Sequence, residues 1–315
     1  MRVAVLDDYQ GVALDSADWG AVRARGAIEA FRDHLADEDA LATRLAGFDV
    51  VVAMRERTPF PASLLRRLPD LRLLVTTGMK NASIDVAAAR ELGVTVCGTA
   101  GSSAATPELT WGLLLALARG LPQEMADVRD GGWQRGVGFQ LEGRTLGVLG
   151  LGRIGRRVAG YARAFGMDVL AWSQNLKPED AEAQGARYVT KDELFASSDV
   201  VTVHLQLSDR TRGLVGRPEL DLLGPDGYLV NTSRGPIVDE DELVSALREG
   251  RLGGAGLDVF DVEPLPADHP LRSLPRTVIT PHIGYVTRET YATFYGDAVA
   301  DILAWLDGEP VRVVE

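Results

Sequence analysis

The 315-residue chain is 46% hydrophobic and carries 33 basic against 45 acidic residues, a formal net charge of −12. That length suits about two domains with a sizeable core, and the acidic surplus repels phosphate backbones and anionic lipid, which sets aside nucleic-acid and membrane-surface partners. The longest apolar run, residues 113–118, is far below the roughly 18 that a membrane span needs, and Asp7 and Asp8 interrupt the opening stretch before a signal-peptide core forms, so a cytoplasmic location is expected.

In chain order, the first third alternates short β-branched runs with amphipathic stretches. Strands are expected at 2–6, 28–31, 50–53, 72–76 and 95–97, with helices at 37–45, 62–68 and 84–92. This is the alternation of a small, doubly wound, flavodoxin-like parallel sheet, although its strand order is not readable from one sequence. The lone cysteine, Cys97, lies in an apolar run and reads as a small buried residue, with no disulfide and no metal site. A helix over 107–119 follows, with Glu108 and Arg119 at the ends that suit its dipole. Trp111 and five leucines make it apolar on most faces, so it must be buried in its own domain or against a second copy.

Beyond Gly131-Gly132-Trp133 a second alternating series starts. Its strands are expected at 145–149, 168–172, 200–204, 228–231, 254–258 and 277–280, the inventory of a dinucleotide-binding sheet. A last helix at 287–306 and an extended piece at 311–314 are expected to return to the first domain. The fold class is therefore α/β, two doubly wound parallel-sheet domains: a smaller flavodoxin-like domain of 1–101 plus 285–315, and a Rossmann dinucleotide-binding domain of 102–284.

The 34 glycines, roughly 11% of the chain against a usual ~7%, are the first functional lead. Gly150-Leu151-Gly152-Arg153-Ile154-Gly155 follows a predicted strand and opens a predicted helix, the context in which G-x-G-x-x-G binds a dinucleotide pyrophosphate. An acid is expected at the end of the next strand to hold the ribose. Ser173 and Gln174 stand there instead. They can bond a ribose hydroxyl and do not repel a 2′-phosphate, so NAD and NADP both remain open, with NAD favoured on general frequency. His204, at another strand end, lines the same cleft.

Three further polar residues lie just past predicted strand ends: Arg234 in Asn231-Thr232-Ser233-Arg234-Gly235-Pro236, Glu263 in the segment from Asp258 to Pro264, and His282 in Pro281-His282-Ile283-Gly284. With the glycine motif, in this order and approximate spacing, they resemble the D-isomer-specific 2-hydroxyacid dehydrogenases over nearly the whole chain. The resemblance implies hydride transfer between a nicotinamide and C2 of a small 2-oxo or D-2-hydroxy acid, and a homodimer with a contact on the helix at 107–119. It implies Arg234, Glu263 and His282 as catalytic residues, with Asp258 near the nicotinamide amide and Thr232 among the cofactor contacts. Imidazolium suits proton delivery as hydride arrives, a carboxylate orients it, and an arginine fork grips the substrate carboxylate.

In the family, the loop after the fourth strand offers backbone N–H groups to the substrate. Here it carries Gly78, Met79 and Lys80, with Lys80 where a second glycine is usual and Ala82-Ser83 in place of Asp-Asn. Tyr285 stands where a small residue is common. If Arg55 or Arg57 joins Lys80 and Arg234, the pocket holds more positive charge than one carboxylate requires, which points to a substrate with a second anionic group. The alternatives are a non-enzymatic dinucleotide sensor on the same fold, and an enzyme using another hydride donor such as formate or phosphite.

Overall fold

Val50–Ala53 and Leu73–Thr76 are buried at every position, as strands must be when helices cover both faces of a parallel sheet. In the computed structural model, which describes residues 1–315, they are the third and fourth strands of one of two units. This unit comprises Met1–Ser102 and Val286–Glu315; the other is Ser103–Tyr285.

The first unit's strands are β1 (Arg2–Val5), β2 (Ala27–Ala30), β3 (Val50–Ala53), β4 (Leu73–Thr76) and β5 (Thr95–Gly98). They pair in parallel in the order β2-β1-β3-β4-β5, the flavodoxin-like arrangement, whose switch point falls between β1 and β3. Its helices are α1 (Gly20–Arg23), α2 (Glu38–Leu45), α3 (Ala62–Leu65) and α4 (Val86–Glu91). Asp37 and Asp85 cap α2 and α4 by accepting from Ala40 N and Ala88 N, which satisfies N–H groups that the helix cannot. A core around Phe60, Leu64, Leu65 and Leu74 fills one side.

The second unit opens with α5 (Ala105–Arg119) and α6 (Leu121–Arg129), divided by Gly120 in a left-handed conformation. It continues β6 (Thr145–Leu149), α7 (Arg153–Ala164), β7 (Asp168–Trp172), α8 (Pro178–Glu182), β8 (Arg187–Tyr188), α9 (Lys191–Ala196), β9 (Val200–Val203), α10 (Arg217–Leu223), β10 (Tyr228–Asn231), α11 (Glu240–Glu249), β11 (Gly254–Leu257) and β12 (Thr277–Ile279). The sheet runs β12-β11-β10-β9-β6-β7-β8, parallel throughout. This is the dinucleotide-binding order extended by a seventh strand, with the switch point between β6 and β9. Six strands were expected; the two-residue β8 is too short to leave a pattern. The chain then returns to the first unit as α12 (Arg288–Leu306), capped by Thr287, and residue 313 bridges β5 antiparallel at Cys97.

The expectation for 107–119 changes. Thr110, Trp111, Leu113, Leu114 and Ala118 of α5 are buried inside the second unit, and Trp111 packs on Tyr161 and Phe165 with ring centroids 6.1 and 4.9 Å away. The helix is apolar on most faces because its own unit surrounds it. The uncovered apolar stripe is on α6, where Leu121, Met125 and Val128 are 42%, 53% and 53% exposed at i, i+4, i+7 spacing.

Candidate active site

The second unit gathers the glycine motif and the charged residues at the C-terminal ends of its strands, where open α/β sheets bind ligands. After β6, Gly150 turns the chain with φ +106°, and Gly152 caps α7 in extended backbone. Gly155 lies so close to Gly150 O that a Cβ would sit 2.1 Å from it, whereas a Cβ on Gly152 would meet nothing within 4 Å. The motif therefore packs helix against strand and leaves an open recess at the N-terminus of α7. Arg153 and Ile154 form the first turn, which contains no acid, so its unpaired N–H groups suit a diphosphate. The residues present fit a dinucleotide.

Ser173 and Gln174 follow β7, half-buried and exposed respectively, with no carboxylate in the turn. His204 follows β9, its backbone close enough to Gly150 that a Cβ there would stand 2.9 Å from it. Burial pushes its imidazole down to about 3, so the ring is neutral, with Nε2 2.9 Å from Thr202 Oγ1.

Arg234 follows β10. Its turn is held by Asn231, whose Nδ2 donates to Arg234 O at 3.0 Å and whose Oδ1 accepts from Ser233 N at 3.0 Å. Gly235 allows the turn to press on Phe260, where a Cβ would be 2.1 Å from the backbone. Thr232 is buried, and its hydroxyl lies 2.7 Å from Thr110 Oγ1. Thr110 spends its proton on Thr106 O, so Thr232 donates to Thr110. Thr232 thus ties the end of β10 to α5.

Glu263 lies beyond β11, and its Oε1 accepts from Phe260 N at 3.0 Å. Its Oε2 meets His282 Nδ1 at 2.5 Å. With the carboxylate accepting, Nδ1 donates and Nε2 is the remaining ring nitrogen. His282 has φ +54°, a left-handed backbone rare for such a residue. Asp258 pins the loop that carries it: Oδ1 accepts from Thr280 Oγ1 at 2.6 Å and Ile283 N at 2.8 Å, and Oδ2 accepts from Gly284 N at 2.8 Å. Thr106 Oγ1 also donates to Gly284 O at 3.1 Å. Burial raises the Asp258 carboxyl despite these donors and the nearby His282. Both Asp258 oxygens thus hold the histidine loop. Tyr285 presents its ring edge-on to His282 with centroids 5.7 Å apart.

In the first unit, loops after β1, β3 and β4 hold a second polar group. Gly78 turns with φ +103° and packs on the Arg55 guanidinium, where a Cβ would lie 2.0 Å from Nη1. Arg55 Nη1 donates to Thr77 O at 3.0 Å, and its Nε lies 3.7 Å from Glu56 Oε2. The Gly78 N–H is already given to Thr99 Oγ1 at 2.8 Å, so this glycine serves the loop by its conformation, and exposed Met79 and Lys80 follow it. Arg57 reaches the segment after β1: its Nη1 donates to Asp7 O at 3.3 Å, and its guanidinium stacks 4.6 Å from the Tyr9 ring. Asp7 is buried and bonded by Thr58 and His34 at 2.7 and 2.9 Å, and Tyr291 donates to Gln10 Oε1 at 3.1 Å. The 7–10 segment was missed as a site feature in the sequence, where the acids read only as breaks in an apolar run; its place after β1 at the switch point is the usable signal.

The family model for D-isomer specific 2-hydroxyacid dehydrogenase, NAD binding domain, matches residues 111–284. The chain is 41% identical over 256 residues to a glyoxylate reductase of Aeropyrum pernix, covering 78% of this chain and 76% of that protein. It is 31% identical over an alignment of 325 residues to a hydroxypyruvate reductase of Blautia hydrogenotrophica, covering 100% and 99%. Among solved structures, a phosphoglycerate oxidoreductase from Vibrio cholerae o395 superposes with a TM-score of 0.92 at 38% identity, covering 98% of this chain and 99% of that one. Sequence, fold and the polar groups at the strand ends converge: the chain belongs to the D-isomer specific 2-hydroxyacid dehydrogenases, oxidoreductases that use a nicotinamide cofactor.

Proposed function

We propose that the enzyme interconverts a small 2-oxo acid and its D-2-hydroxy acid, with Arg234, Glu263 and His282 carrying the chemistry. The observation behind this reading is the 2.5 Å His282–Glu263 pair on a loop pinned by Asp258. The bound nicotinamide supplies or takes up the hydride at C2. His282 Nε2 gives a proton to the C2 oxygen in reduction and takes it back in oxidation. Glu263 fixes the ring's orientation and stabilises its charged form. The Arg234 fork binds the substrate carboxylate and stabilises charge growing on the oxygen. Within the first unit, the backbone N–H groups at 79 and 80 are the ones offered to a substrate carboxylate, because the glycine's own N–H is taken. Following absorbance of the reduced cofactor with a panel of 2-oxo acids tests this; turnover of none of them would overturn it, leaving a dinucleotide sensor.

For the finer assignments, NAD is the proposed cofactor, without a device against NADP, since no carboxylate stands at Ser173 or Gln174 to repel a 2′-phosphate. A second anionic group on the substrate is supported by Arg55, whose guanidinium packs on the Gly78 turn, with Lys80 two residues on in the chain. Higher kcat/KM for phosphorylated or dicarboxylic oxo acids than for glyoxylate would support it, and the reverse order would refute it. We also propose a homodimer, with the α6 stripe and 74%-exposed Trp133 as the covered surface, and a cytoplasmic enzyme.

A further inference from the structure

The piece of chain after α12 does more than cover a sheet edge. Arg312 O accepts from Gly98 N at 2.9 Å, and Val314 N donates to Val96 O at 2.8 Å, so residues 312–314 run antiparallel along β5. Arg312 adopts φ +51° to do this. Its Nη2 donates to Asp297 O at 2.8 Å and approaches Asp301 Oδ1 to 2.9 Å, while Nη1 lies 3.5 Å from Asp297 Oδ1. A residue held in a costly backbone region by three separate anchors is over-determined, which is how a protein maintains such a conformation.

Two routes run from this anchor to the Gly78 turn. The first is contact: Gly98, which bonds Arg312 O, lies against the turn so tightly that a Cβ would be 2.8 Å from Gly78 O and 3.0 Å from Met79 Cα. The second is a hydrogen-bond chain: Asp297 Oδ2 accepts from Ala100 N at 2.8 Å, Thr99 Oγ1 donates to Ala100 O at 2.9 Å, and Gly78 N donates to Thr99 Oγ1 at 2.8 Å. Thr99 is fully buried, and the bond it accepts from Gly78 N is shielded from water.

We propose that Arg312 and Asp297 are positioning residues for substrate binding: the strap at 312–314 sets the conformation of the Gly78–Met79–Lys80 turn through Gly98, Thr99 and Ala100. This rests on the reading of that turn as the seat of the substrate carboxylate. Arg312 and Asp297 touch no reacting atom. Their effect falls on affinity for the oxo acid, leaving cofactor binding in the other unit alone.

The test compares Arg312→Ala, Arg312→Lys and Asp297→Ala in the full-length protein by hydrogen exchange of the 76–80 segment, thiol labelling of Cys97, and steady-state kinetics. Cys97 is the chain's one cysteine, buried on β5 opposite residue 313, so its labelling reports release of the strap. The expected result for Arg312→Ala is about tenfold faster exchange at 76–80, faster labelling, and about a tenfold rise in KM for the oxo acid, with KM for NADH within twofold. Arg312→Lys should recover most of the KM loss. Asp297→Ala should reproduce the split while keeping the Arg312–Asp301 pair. Strap release with unchanged exchange at 76–80 overturns the proposal, as does an equal rise in both KM values. If exchange at 76–80 responds but the unmodified enzyme turns over no oxo acid, the positioning stands and the substrate reading is what fails.

Discussion

With Nδ1 given to Glu263, His282 has one nitrogen left for substrate, and the expected mutational effects divide along that line. His282→Ala should lower kcat about a thousandfold, because general acid–base help of this kind is typically worth roughly 10²–10⁴. Cofactor affinity, measured by fluorescence titration with NADH, should stay within twofold. Glu263→Gln should cost about ten- to a hundredfold in kcat, in the range found when an orienting partner is lost. Ser173 offers a second test at this scale. On the proposed cofactor reading, Ser173→Asp puts a carboxylate at the end of β7 and should raise KM for NADPH about tenfold or more while KM for NADH changes less than threefold; parallel saturation curves decide it. These side chains were legible in the sequence because each sits in a short motif next to a predicted strand. The hydrogen-bond partners of Asp258 and Thr232 were not legible, since Gly284, Ile283, Thr280 and Thr110 come from remote parts of the chain.

At the level of elements, the strands were readable because burial on both faces writes them as apolar runs, as in 50–53. Strand order was not, because nothing in an apolar run names its neighbour. The two-residue β8 and helix α6, which buries no residue, carry no core-facing pattern and were missed for that reason. The dimer surface proposed here is on α6 because α5 finds neighbours inside its unit and α6 buries none of its residues. Changing Met125 and Val128 to Glu should therefore leave the thermal midpoint nearly unchanged and convert a dimer to a monomer in light scattering. Substitutions on α5 should unfold the second unit instead, as cavity formation in a packed core costs about 2–5 kcal/mol for a Leu→Ala change.

At the scale of the whole molecule, the two units should answer acid in opposite directions. Burial raises the Asp301 carboxyl in the first unit to about 7; Arg312 opposes the shift and Asp297 adds to it. Near neutrality the folded state keeps a proton that the unfolded chain has released, so the Asp301 contribution to stability is fullest below the ordinary carboxylate range and is lost as pH rises through about 7. The groups nearest it are Arg312 from the strap, Asp297 from its own helix and Cys97 from β5, whose thiol burial and Asp301 push up to about 11. His204 in the second unit has the other sign. Its folded value near 3 means that the unfolded chain takes up a proton first, so its contribution is present above the ordinary histidine range and is lost as pH falls through it toward about 3. Between pH 7 and 5, hydrogen-exchange protection should rise in β5 and α12 and fall in β6 and β9. Asp301→Asn should flatten the first trend only, and His204→Gln the second only. A common slope in both units would contradict the assignment.

The first unit is assembled from two stretches of chain with the whole second unit between them. On a ribosome adding about 5–20 residues per second, β1 to β5 emerge and then wait while roughly 180 further residues are made, on the order of ten to forty seconds, before α12 and the strap arrive. Throughout that interval the β5 edge has unpaired backbone groups. The nascent first unit thus carries an open strand edge that the finished one does not, and loss of strap contacts such as Arg312 should lower soluble yield more than it lowers the melting temperature of the finished enzyme.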